Sequence, residues 1–335
     1  MVTMRRRSVL LSVLTAAAGA GGMTACASGT TGGSAGQAAP SASGVPILGS
    51  TAASSLAPQS VTPYAPPTGA APARAFAVGR RDLGLDRGAD RPLPTRVWYP
   101  ATGAVPDRPS PVDGAAPATG RFPLILFSHG LTSSPEDFAA LLSRWAQAGF
   151  VVAAPSFPHT ANGVARFDAG DIVNQPADVR HVLDRLLALA GDPLATIIDP
   201  ARLAAAGHSG GAITTTGLFS AARDERLTAG LVIAGTDFLG APFAGPPAAM
   251  LVVHGRNDDT VAYRAGRAVF DAVPWSRAML TVTSGGHVIT SGDFEAITGT
   301  STEFWRWSLY GDAAARSRMS AAAAAGNAAT LEDQL

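Results

Sequence analysis

An α/β fold built on a mainly parallel sheet is predicted from Phe122 onward by two observations. The first is a series of short, wholly apolar runs, Phe122 to Phe127, Phe150 to Ala154, Leu203 to Ala206 and Ala249 to Val253. Runs of strand length with no polar alternation mark strands buried on both faces, as happens where helices cover both sides of a parallel sheet. The second is what lies between them: Gly-containing turns and stretches of helical period, such as Val179, Val182, Leu183, Leu186 and Leu187 at i, i+3, i+4, i+7 and i+8.

The chain opens differently. Arg5-Arg6-Arg7 precedes an apolar run from Val9 to Ala20 and then Met23-Thr24-Ala25-Cys26, a charged region, a short apolar region and small residues ahead of a cysteine. That run is too short to cross a bilayer and reads as an export signal over residues 1–26. It resembles a bacterial lipoprotein signal, in which the cysteine after the cleavage point receives lipid, with Met23 where Leu is usual; Arg6-Arg7-Ser8-Val9-Leu10 also resembles a twin-arginine motif. Cys26 is the only cysteine, so no intramolecular disulfide forms, and a membrane surface becomes an expected partner through the lipid; the alternative is an ordinary secretory signal with an incidental cysteine and a secreted protein. Residues 27–73 are rich in Ala, Gly, Ser, Thr and Pro with almost no charge, the composition of a flexible tether. Residues 74–335 remain for one domain, a normal size for its class.

Within that domain, Arg74 to Val78 and Leu93 to Tyr99 alternate as strands do, and Ala101 to Arg121 is a Pro/Gly-rich surface excursion. The strand Phe122 to Phe127 runs into Ser128-His129-Gly130-Leu131, and a helix opens near Ser134 or Pro135. Leu203 to Ala206 runs into Gly207-His208-Ser209-Gly210-Gly211, a G-x-S-x-G frame in which the glycines allow a serine to stand on a sharp strand-to-helix turn. Ala249 to Val253 ends in His254-Gly255-Arg256-Asn257-Asp258-Asp259, and Leu280 to Ser284 ends in Gly285-Gly286-His287. The Ala-rich stretch Gly311 to Leu335 is read as a last helix or a frayed, weakly docked tail.

These turns supply the parts of a serine nucleophile in order. Ser209 needs a base to take its proton, which His287 provides, and Asp258 orients and stabilises that imidazole; Asp259 is the less favoured acid. The backbone N–H groups of Leu131 and Gly210 are the expected oxyanion donors. Gly207 and Gly211 are the elbow glycines. Separations of 49 and 29 residues between nucleophile, acid and base leave no room for a lid or cap domain. His129, His208 and His254 stand beside glycines at strand ends and are read as structural, His159 as a rim residue and His181 as part of an amphipathic helix. The loops Ser156 to Asn174 and Thr236 to Pro247 are expected to shape the pocket, with Phe157, Phe167, Phe238 and Phe243 as candidates either for its walls or for core packing.

From about Arg74 on, the chain resembles the branch of the α/β-hydrolase superfamily that holds platelet-activating-factor acetylhydrolases, dienelactone-hydrolase-like proteins and cutinase-like polyester hydrolases. The resemblance rests on Phe127-Ser128-His129-Gly130-Leu131, Gly207-His208-Ser209-Gly210-Gly211, His254-Gly255-Arg256-Asn257-Asp258 and Gly285-Gly286-His287. It implies cleavage of carboxylic esters through an acyl-serine, without a cofactor. Dienelactone hydrolases use a cysteine where Ser209 stands, and the C-terminal disulfide common in polyester hydrolases has no counterpart with one cysteine.

All 25 basic residues are Arg; removing the three in the leader leaves 22 against 25 acidic residues, a net of −3 that does not favour nucleic acid. No metal-ligand or nucleotide motif is present. The expectation is therefore an exported, lipid-anchored serine esterase acting on small or polymeric esters. The alternatives are an acyltransferase on the same scaffold and a catalytically idle ligand-binding surface lipoprotein.

Overall fold

The computed structural model describes residues 61–335. Residues 1–60, which hold the expected export signal, Cys26 and most of the expected tether, lie outside the described residues.

β1 (Ala77–Asp86) and β2 (Pro92–Ala101) form an antiparallel hairpin, and β3 (Val112–Asp113) adds two residues beside β1 from within the expected surface excursion. β4 (Phe122–Ser128) leads through a short turn of helix into α1 (Ala139–Gln147), then β5 (Val151–Pro155). α2 (Gln175–Leu187) carries the predicted stripe, with Val179, Val182, Leu183 and Leu186 fully covered. α3 (Pro193–Ile197), β6 (Ile198–His208), α4 (Gly210–Leu218), β7 (Leu227–Ile233) and β8 (Ala249–Gly255) follow. The chain closes with α5 (Tyr263–Ala272), β9 (Arg277–Val282), α6 (Phe294–Trp305), α7 (Ala313–Ala323) and β10 (Ala329–Gln334).

Among the described residues, ten strands join one sheet in the order β10-β9-β8-β7-β6-β4-β5-β2-β1-β3, and from β5 to β9 every neighbouring pair is parallel. This is the α/β-hydrolase fold. The apolar runs behave as their composition requires: along β4, Ile125 and Phe127 enter the core on one face while Leu124 and Leu126 enter the core on the other.

Two segments are more ordered than the sequence suggested. The chain ahead of Arg74, read as tether, is already docked at Thr62, whose N–H donates to the Pro274 carbonyl at 2.8 Å and whose carbonyl accepts from Ser276 N–H at 3.1 Å. Tyr64 completes the attachment, its hydroxyl donating to the Ser308 carbonyl at 2.9 Å and its ring meeting Trp307 edge-on at 6.0 Å. The Tyr64 ring and the Thr62 main-chain bonds together contribute to ordering a stretch whose composition alone does not.

The tail from Gly311 is the predicted helix followed by a strand and is not frayed. β10 pairs antiparallel with β9 from Ala329↔Val282 to Gln334↔Arg277, and Arg277 Nε donates to Gln334 at 2.9 Å. Ala-Thr-Leu-Glu-Asp-Gln offers almost none of the β-branched residues that signal a strand. Its acidic side chains suit an edge, where charge discourages pairing with another chain.

Tyr64→Ala is expected to lower unfolding stability by roughly 1–3 kcal/mol, the usual range for losing a packed ring and its hydrogen bond. Urea denaturation of the protein with and without the substitution checks this, and an unchanged midpoint would mean that the segment is not held by Tyr64.

Candidate active site

Four strand ends meet at the C-terminal edge of the sheet, where α/β folds gather their functional groups. Ser209 follows β6 directly. It is the residue before α4 and has φ 54° and ψ −118°, a conformation that an L-residue adopts only where its neighbours force it. A Cβ on Gly207 would strike the Gly211 carbonyl, and a Cβ on Gly211 would strike the Ser128 carbonyl, so both elbow glycines are demanded by backbone contact. Ser209 N–H donates to the Ile233 carbonyl at the end of β7 (2.9 Å), which fixes the turn to the sheet. Ser209 is 5% exposed.

The acid and histidine turns are joined to each other before they reach Ser209. Arg256 N–H donates to Val282 (3.0 Å) and Asn257 N–H to Gly285 (2.9 Å), and Gly255 lacks the Cβ that would collide with the Gly285 and Gly286 carbonyls. Asp258 and His287 are thereby adjacent: His287 Nδ1–H donates to Asp258 Oδ2 at 2.9 Å, and His287 Nε2 faces Ser209 Oγ at 2.9 Å. The other carboxylate oxygen of Asp258 accepts from Thr260 N–H (2.9 Å) and Val261 N–H (2.7 Å). Burial alone would push the Asp258 carboxyl up, but the imidazoles of His254 and His287 and the Val261 N–H outweigh it and hold the group well below the usual carboxylate range. Asp259, the alternative acid, accepts from the Thr260 hydroxyl at 3.2 Å and lines the cavity.

Leu131 and Gly210 meet at the mouth of the turn: a Cβ on Gly210 would lie 3.1 Å from Leu131 Cγ. Gly210 opens α4, where main-chain N–H groups have no partner within the helix. The turn carrying Leu131 is stapled from outside by Thr132, at φ 56°, whose N–H donates to the Thr160 carbonyl at 2.7 Å, and by Asn162 N–H to Ser133 at 2.8 Å. Nothing in the sequence pattern announced that attachment.

Three further histidines hold main chain in place, as read from their positions beside glycines. His129 Nδ1–H donates to the Gly130 carbonyl (2.8 Å) while its Nε2 accepts from Phe157 N–H (3.2 Å). His208 Nε2–H donates to the carbonyl of His287 (2.7 Å), and His254 Nε2–H to that of Val261 (2.8 Å). Burial pushes both His129 and His208 down to about 4, and for His208 the neighbouring His287 adds to the effect. His159 faces the Arg166 carbonyl at 3.4 Å and does not line the cavity.

The cavity over Ser209 and His287 encloses about 1390 Å³. Its apolar lining includes Leu131, Phe138, Leu141, Val288, Ile289 and Phe294. None of the four loop phenylalanines named from the sequence lines it. Phe157 is fully buried, Phe238 packs with Ile172 and Ile213, Phe243 meets Trp275, and Phe167 is 39% exposed. The walls come instead from the segment entering α1 and from the stretch after His287; Phe138 and Leu141, at helical spacing, were the only trace of this in the sequence. Among the described residues no three His, Cys, Asp or Glu side chains converge as metal ligands do.

Residues 95–235 match the family model for chlorophyllase, a stretch that runs from β2 to the end of β7 and contains the Leu131 turn and the Ser209 elbow. A comparison with curated proteins finds no match. Together with the sheet topology, the match makes this chain similar to the serine ester hydrolases of the α/β-hydrolase fold.

The lowered histidines predict a pH dependence of folding. A group whose folded pKa lies below its unfolded value stabilises fully above the unfolded value and loses that contribution as pH falls. For His129 and His208 the window runs from 6.5 down to about 4, and Asp258 acts in the same direction below the ordinary carboxylate range. Stability is expected to fall by on the order of 3 kcal/mol per histidine across that window. Urea midpoints should drop between neutral pH and pH 5, less steeply in His129→Gln; a flat profile would contradict neutral, buried imidazoles.

Proposed function

We propose that the chain is a serine carboxylic-ester hydrolase with Ser209 as nucleophile, His287 as base and Asp258 as orienting acid. The observation that carries this reading is the unbroken contact from Asp258 through His287 to Ser209, each link at 2.9 Å. Ser209 Oγ bonds to the ester carbonyl carbon as its proton passes to His287 Nε2, and the carbonyl oxygen becomes an oxyanion facing the N–H groups of Leu131 and Gly210. The intermediate collapses with cleavage of the ester C–O bond, and the proton on His287 goes to the leaving alkoxide. Water repeats the sequence on the acyl-serine and releases the acid. Asp258, held ionised, stabilises the imidazolium without taking its proton.

The same proposal places the enzyme outside the cytoplasm, tethered by lipid on Cys26. Support comes from the leader, Arg5-Arg6-Arg7 and the apolar run before a sole cysteine. Among the described residues no helix is long and apolar enough to cross a membrane.

Hydrolysis of p-nitrophenyl esters from acetate to palmitate tests the chemistry. Rates should fall by roughly 10⁴ to 10⁶ in Ser209→Ala and His287→Ala, and about 10⁴ in Asp258→Ala. Turnover surviving in Ser209→Ala would overturn the reading, whereas palmitate incorporation abolished by Cys26→Ser would support the anchor.

A further inference from the structure

The lining of the cavity over Ser209 and His287 includes Phe138 and Leu141, Ile289 and Phe294, and also Arg108, Arg144 and Glu295. The ring of Phe138 packs on His208, beside Ser209, and Arg144 lies six residues further along the chain, on α1. Six residues exceed one helical turn, which sets Arg144 apart from the Ser209 end of the lining.

The far end carries an excess cation. Arg144 donates to Glu295 at 2.9 Å, so those charges offset each other. Arg108 has no ion-pair partner among the described residues, and its loop is tied to the end of α1 by Gln147 Nε2–H donating to the Pro106 carbonyl at 2.8 Å. The other carboxylates of the cavity belong to the near end: Asp137 accepts from Ser133 and Ser134 beside the Leu131 turn, and Asp259 adjoins Asp258.

Ester chemistry decides which arm of the substrate enters. His287 must pass its proton to the alkoxide oxygen, so the alcohol leaves alongside His287, and the groove wall continues from His287 through Ile289 to Phe294. Resting on the esterase reading above, we propose that the groove between α1 and α6 binds the alcohol arm and that Arg108, with Arg144, recognises a carboxylate at its far end. The substrate class is an ester of a hydroxy acid whose apolar chain lies along Phe138 and Leu141 and ends in a carboxylate at Arg108 and Arg144. A guanidinium fork matches a carboxylate, whereas an uncharged chain that extends to Arg144 must desolvate the Arg144–Glu295 pair for no return.

Acetate release from acetyl esters of ω-hydroxy acids, compared with alkyl acetates of equal length, tests this. As the chain lengthens to span the groove, the acid-to-neutral ratio of kcat/KM should rise to about fivefold to tenfold. It should fall toward one in Arg108→Gln/Arg144→Gln and at high salt, and persist in Arg185→Gln, on the exposed side of α2. A ratio of one at every length, a ratio that survives in the double variant, or a preference seen only when the carboxylate is on the acyl arm would overturn the proposal. Cleavage of both series without preference sinks this inference alone; cleavage of neither sinks the esterase reading with it.

Discussion

No side chain fits between the end of β6 and the first turn of α4. The backbones of Gly207, Gly211 and Ser128 approach so closely that any Cβ would overlap a carbonyl, and the turn between them has only one way to pass. Ser209 therefore takes a positive φ, and its N–H is captured by the end of β7. Strain of this kind costs about 1–3 kcal/mol and persists only where surrounding structure overdetermines it. Here the surroundings are a ten-stranded sheet with apolar cores on both faces. A second backbone contact, Gly255 against Gly285 and Gly286, joins the acid turn to the histidine turn, so Asp258 and His287 arrive at Ser209 as one unit.

The electrostatics of the site follow from how its histidines are tied. His129, His208 and His254 each have a ring nitrogen bonded to a main-chain carbonyl, and burial keeps His129 and His208 neutral. Positive charge that develops on His287 consequently meets no charged imidazole at His208, whose ring lies 4.9 Å away, and faces one carboxylate, Asp258. His208 also anchors the His287 carbonyl, so the residue before Ser209 positions the ring that faces the Ser209 hydroxyl.

Much of this was legible because strand runs and glycine turns are local signals. The apolar runs at 122–127 and 249–253 could be buried only on both faces, and Gly207, Gly211 and Gly285 marked where chains would touch. What stayed hidden depended on distant partners. Tyr64 ordered a stretch that composition assigned to a tether because Trp307 and Ser308 lie beneath it. The strand Ala329–Gln334 exists because β9 offered an unpaired edge, not because its residues favour extension. Of the two roles open to the loop phenylalanines, packing claimed Phe157 and Phe238, and the lining of the cavity comes from α1 and the stretch after His287, whose part no local signal marked.

The proposed chemistry requires that Ser209 carry the activated hydroxyl. Treatment with a fluorophosphonate, followed by mass analysis of the peptide that spans residues 207–211, measures this directly. Stoichiometric phosphonylation of Ser209, lost on replacing His287, is the predicted result. A folded protein that remains unlabelled, or one labelled at another serine, would contradict it.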